Sequence, residues 1–159
     1  MTRRLASYRT EASELLQIAA RAQHIERWTL PRDTYPAGRS GYLRWRTALA
    51  AHHAERAGEL MRQASFGESD VDVVARLLRK EGLADATPDA DVQVLEDVAC
   101  LVFVEHYLEG FAAGRAPAKV RQILEKTLAK MSPRAREVAS TLRSLGKLPA
   151  RWGEQARQR

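Results

Sequence analysis

An all-α fold, a single-domain bundle of five or six helices, is what this sequence predicts, and three observations lead there. Apolar residues recur at three- and four-residue spacing almost throughout, whereas strand-like alternation is hard to find. Pro and Gly signals punctuate the periodic segments. The length of 159 residues suits one domain with a core of its own.

The first helix is expected from about Thr10 to Trp28, with Leu15, Leu16, Ile18, Ala19, Ala22 and Ile25 along one face, ending before Pro31. The loop TLPRDTYPAGRSG leads to a second helix from near Ser40, with Tyr42, Leu43, Leu49, Ala57, Leu60 and Met61 at helical spacing, broken at Phe66-Gly67. A third runs from Val71 to Lys80, with Ser69 as its N-cap and Gly82 closing it. Thr87-Pro88 opens the fourth, which continues to about Gly114 and is apolar nearly all round, as a central helix must be. Pro117 starts a fifth helix with Val120, Ile123, Leu124, Leu128 and Met131, and Ser132-Pro133 starts a sixth with Val138, Leu142 and Leu145. The helical domain is read as residues 1–146, and the basic segment 147–159 as a tail with little to pack.

No apolar stretch approaches the roughly 20 residues that span a bilayer, and charges break the N-terminus where a signal peptide needs its apolar centre. The expectation is a soluble, cytoplasmic protein. The single cysteine, Cys100, rules out an internal disulfide and sits within an apolar run, where a thiol is a small buried residue. The net charge of +6 is unevenly spread. Residues 82–114 contain no Lys or Arg but carry Asp85, Asp89, Asp91, Glu96, Asp97, Glu105 and Glu109. Residues 21–46 carry Arg21, Arg27, Arg32, Arg39, Arg44 and Arg46 against Glu26 and Asp33.

Glu96 and Asp97 precede the driest run in the chain, and a buried carboxylate needs a partner. Two readings follow. They pair with arginines of the 39–46 segment and hold the bundle together, or they face a polar site with histidines. Of the four histidines, His52 and His53 point about 100° apart on a helix, so one of them faces a shared site. His24, His53 and Asp97, if they converge, suit a divalent ion with room for an activated water. Arg27, Arg32, Arg39, Arg44 and Arg46 are interleaved with Trp28, Tyr35, Tyr42 and Trp45, a mixture that clamps phosphate and stacks a base, or else serves as core-edge aromatics with arginines over acidic neighbours.

The stretches ARAQHIERW, PRDTYPAGRSGYLRWRTAL, HHAERAGELM and QVLEDVACLVFVEHY together resemble the family known as domain of unknown function 4202, small soluble proteins without an established activity. The likeness covers most of Leu15 to about Met131. More distantly, AARAQHIERW, HAERAGELMRQASFGESDVDVVARLL and VLEDVACLVFVEHY resemble the helices of the HD phosphohydrolase superfamily, all-α metal-dependent enzymes whose metal is held by a His-Asp pair and a final Asp. That resemblance implies an HD-like bundle with His24, His53 and Asp97 as metal ligands, Asp97 taking the place of the final Asp. Gln23 stands where the His of the pair belongs, and a carboxamide is a poor ligand for such metals. The segment MTRRLASYR reads as starting partway through the helix that supplies the superfamily's first His.

The function expected from these readings is metal-dependent hydrolysis of a nucleotide or other phosphorylated small molecule, or a relative in which the site has decayed. In it Glu96 would manage protons, Arg27 and Arg46 would stabilise phosphoryl charge, and a divalent metal would be the cofactor. Arg32, Arg39, Arg44, Trp28, Tyr35, Tyr42 and Trp45 are the candidate substrate contacts. The alternative is a non-catalytic nucleotide- or RNA-binding module built on residues 27–46. A third reading is a structural partner protein with an unpartnered helix face. The sequence names no substrate, metal or oligomeric state.

Overall fold

A computed structural model describes residues 1–85 and 89–144, and over them the chain is all-helical, with eight α-helices and no strand. The chain divides into two compact units, Thr2–Leu95 and the residues from Glu96 onward together with Met1. No described helix is long and apolar enough to cross a membrane.

In the first unit, α1 spans Thr2–Tyr8 and buries Leu5 and Tyr8. It falls within MTRRLASYR, where the distant resemblance implies part of a helix and the apolar spacing marks none. α2 is Glu14–Ala22, started by Ser13, whose hydroxyl accepts from the Leu16 amide at 3.2 Å. It stops six residues short of the expected Trp28, because the chain turns at residues 23–26 and Glu26 takes a left-handed conformation (φ 48°). Arg56 holds that turn through a 2.9 Å ion pair with Glu26. Short 3-10 turns follow at Arg27–Thr29 and Arg32–Thr34.

The long α3, Gly38–Gln63, buries Gly41, Trp45, Leu49, His53, Ala57 and Met61, a stripe stepping by four residues. Tyr42, Leu43 and Leu60 lie off this stripe and are exposed, contrary to their assignment to the apolar face. A Cβ on Gly41 would run into the carbonyl oxygen of Pro36, so only glycine lets the loop cross the start of α3. α4, Glu68–Arg79, packs on α3 and on α2. A Cβ on Gly58 would lie 3.0 Å from a Val71 methyl, which lets the backbones of α3 and α4 come close. Arg62 reinforces the junction with a two-pronged pair to Glu68 at 2.6 and 2.7 Å. α4 begins at Glu68 rather than Val71, with Gly67 in place of Ser69 as the N-cap, and its last turn closes on Lys80 in a left-handed conformation.

α5 is Ala90–Val102, and Asp89 caps it by accepting from the Asp91 and Val92 amides at 2.8 and 3.4 Å. The start expected at Thr87-Pro88 falls outside the described residues. In the second unit the helix expected to run unbroken to Gly114 passes through a π-turn, Phe103–Tyr107, before a short α6, Leu108–Ala112. Val104, Leu108 and Val120 form a small core with Phe103, Ala112 and Leu124 against it. α7 (Pro117–Lys130) and α8 (Pro133–Ser144) begin at the prolines that the sequence marks. Leu145 and the basic segment 147–159 lie outside the described residues. Cys100 is buried.

Candidate functional site

Where α2 ends, the turn sets three polar side chains against the middle of α3. His53 is buried, 6% exposed, and its ring stands edge-on to that of His24 with centroids 6.3 Å apart. His52 is also engaged, its Nε2 lying 3.1 Å from the Thr29 hydroxyl and its ring 5.7 Å from His53. Both neighbouring histidines of α3 therefore border this turn, where helical geometry alone allots a shared site to one. The Nδ1 of His53 is buried and makes no hydrogen bond, although the Ile25 backbone lies near enough to act on the ring. Gln23, 6% exposed, has neither a donor for its carboxamide oxygen nor an acceptor for its nitrogen.

An unpaired buried amide costs about 1–3 kcal/mol. Replacing Gln23 with Leu, which has similar bulk and no polar atoms, is therefore expected to stabilise the protein by about 1 kcal/mol, read as a higher melting temperature. A lower melting temperature would show that the amide already has a partner in solution.

The electrostatics of the turn are cationic. His24 remains accessible at its edge, yet its pKa is lowered to about 4, first by partial dehydration of the ring and then by the charges of Arg27, His53, Arg46 and Lys80. His53 is lowered as well, chiefly by burial, with His52, Arg27 and Arg46 acting the same way and the Ile25 backbone opposing them. Both rings are neutral at pH 7. Among the described residues neither Arg27 nor Arg46 has a carboxylate partner; Arg27 instead lies over the Trp45 ring at 4.9 Å.

The arginine and aromatic segment sorts into structural and available groups. Trp45 is buried, donates through Nε1 to the Leu30 carbonyl at 2.9 Å, and carries Arg32 over its ring at 6.0 Å. Arg32 spends its guanidinium on the carbonyls of Tyr35 and Pro36, both at 2.9 Å, so it fastens the loop. Tyr35 is half-buried beside it. By contrast Trp28 is 76% and Tyr42 47% exposed, with Tyr42 tilted against Trp45 at 5.9 Å. Arg39 and Arg44 are exposed as well.

Glu96 and Asp97 belong to the second unit, where their partners are not ones the sequence marks. Asp97, 1% exposed, accepts from the Ser132 amide at 2.8 Å and from the Ser132 hydroxyl at 2.6 Å, one bond per carboxylate oxygen. The same hydroxyl accepts from the Ala135 amide at 3.2 Å, so the carboxylate fixes the residue that caps α8. Glu96 is 3.5 Å from the ammonium of Lys130 and 3.8 Å from the Cys100 thiol. Nothing local in the sequence points at Ser132 as the partner, because the contact spans 35 residues. Among the described residues no group of three or more His, Cys, Asp or Glu side chains stands as ligands of a metal would.

A model of the family described as Domain of unknown function (DUF4202) matches residues 1–151. The chain belongs to that family. Comparisons with curated proteins and with solved structures give no match. Within this DUF4202 chain the turn at residues 23–29 and the middle of α3 make up the candidate site, since there buried polar atoms lack partners and unpaired cations gather.

Proposed function

We propose that the first unit binds the phosphate of a nucleotide or other phosphorylated small molecule through Arg27 and Arg46, with Gln23, His24 and His53 completing the contacts. One observation carries this reading: the charges acting most strongly on His24 and His53 are all cationic, and the buried His53 Nδ1 has no hydrogen-bond partner. An anion would relieve that field, and guanidinium groups suit phosphate because they offer paired donors. Calorimetric titration with inorganic pyrophosphate and with uridine monophosphate tests it. Binding that Arg46→Ala weakens about tenfold or more, in keeping with roughly 1.5–3 kcal/mol for a hydrogen bond to a charged group, supports the reading. No heat with either ligand, or equal binding by the variant, overturns it.

Metal-dependent hydrolysis on His24, His53 and Asp97, with Glu96 moving protons, is the second reading. Its support is that both rings are neutral, as imidazole ligands must be. The donor set does not fit a resident metal as it stands, because Ser132 occupies both Asp97 oxygens and Gln23 offers a carboxamide. Near-stoichiometric Mn or Zn found by elemental analysis, and lost in Asp97→Ala, would favour hydrolysis over simple binding.

A further inference from the structure

Among the described residues Trp28 is the most exposed of the large hydrophobic side chains, and its surroundings set it apart from a stray surface residue. It sits on a turn whose flanking residues are both anchored to α3, Arg27 over Trp45 and Thr29 at His52. The indole is thus displayed from a fixed frame. On α3 itself Tyr42 and Leu43 each lie three or four residues from both Arg39 and Arg46, so the four share one face. Tyr42 and Leu43 are 47% and 51% exposed. Across residues 27–46 five arginines meet a single acid, Asp33. Among the described residues Arg39, Arg44 and Arg46 are in no ion pair, which differs from Arg56 and Arg62 further along the same helix, both paired to glutamates.

Flat rings held open beside unpaired guanidinium groups are the equipment for a polyanion with stackable faces. An acidic peptide would use the charges but leave the rings without a counterpart, and a purely apolar partner would bury the arginines unpaired. From Arg39 to Arg46 the helix rises about 10 Å, the length of roughly three stacked nucleotides at about 3.4 Å each.

We infer that the phosphate held at Arg27 and Arg46 is one of a single-stranded nucleic acid, whose neighbouring bases stack on Trp28 and Tyr42 and whose next phosphate meets Arg39. This rests on the phosphate-binding reading above and narrows its ligand to a strand. Stacking on aromatic side chains tolerates any base, so little sequence preference is expected, together with marked weakening by salt.

The test is fluorescence anisotropy of a labelled 12-nucleotide single-stranded RNA of mixed sequence with the full chain, from 50 to 300 mM salt, beside uridine monophosphate. The expected result is that the 12-mer binds at least tenfold more tightly than the monophosphate. Trp28→Ala with Tyr42→Ala should weaken the 12-mer about tenfold or more while leaving the monophosphate within about twofold. Arg39→Ala should make the salt dependence shallower. All three side chains are exposed, and circular dichroism checks that the variants keep their helices. A 12-mer that binds no better than the monophosphate, or that ignores the aromatic pair, overturns the inference while the phosphate site stands. If pyrophosphate, monophosphate and 12-mer all fail to bind, the phosphate reading falls with it.

Discussion

Asp97→Ala is expected to lower the melting temperature by roughly 6–12 °C, corresponding to about 3 kcal/mol in a chain of this size. The carboxylate is 1% exposed, and each oxygen accepts one bond from Ser132. Removing it withdraws two charge-assisted bonds, leaves the Ser132 amide without its acceptor, and opens a small void in a closely packed place. Ser132→Ala keeps the amide bond and loses the hydroxyl, including its cap on α8, so about 1–2 kcal/mol is expected there. Combining the two should cost less than the sum, since both act on one cluster. Thermal unfolding followed by circular dichroism checks all three. A shift below about 2 °C for Asp97→Ala would show that the clasp contributes little.

Sulfate binding is expected to tighten by up to about tenfold for each pH unit between 7 and 5. In the free protein His24 gains its proton only near pH 4, since dehydration and the nearby Arg27, Arg46, Lys80 and His53 disfavour a positive ring. An anion lodged among those cations reverses the balance and raises the pKa, so a proton is taken up on binding. Sulfate keeps its charge over this range, which assigns the proton to the protein. Stability of the unliganded protein moves the other way. Between about pH 6.5 and 4 the unfolded chain holds more protons on His24 and His53 than the folded one, so stability is full above 6.5 and is lost as pH falls. His24→Gln should flatten both pH dependences. Sulfate affinity unchanged from pH 7 to 5 would detach His24 from the anion site.

Much of the fold was legible because helix signals are local. Pro117, Pro133 and Ser132 mark their helices in three or four letters, and the structure starts helices at those prolines. The early end of α2 was not legible, because the apolar spacing continues through Ile25 while the left-handed turn at Glu26 is held by Arg56, 30 residues away. The apolar letters of Tyr42 and Leu43 misled for a related reason: burial on α3 follows the Trp45–Leu49–His53 line, and one residue round the helix is about 100° away. At the site, His24, His53, Arg27 and Arg46 were named from the sequence and are gathered by the first unit. Gln23 was noticed only as a departure from a metal-binding pattern, yet it is the buried amide without partners. The need of Asp97 for a partner was foreseeable from its setting, but Ser132 as that partner depends on a contact 35 residues distant.

The close approach of α3 and α4 at Gly58 and Val71 also bears on the order of events during folding. These helices are neighbours in sequence, joined by a short turn and stapled by Arg62 and Glu68, so the chain loses little loop entropy in bringing them together. The clasp between Asp97 and Ser132 must close a far longer stretch. A hairpin of α3 and α4 is thus expected to take shape before the rate-limiting barrier and the clasp after it. Gly58→Ala should then slow refolding, whereas Asp97→Ala should leave refolding almost untouched and quicken unfolding.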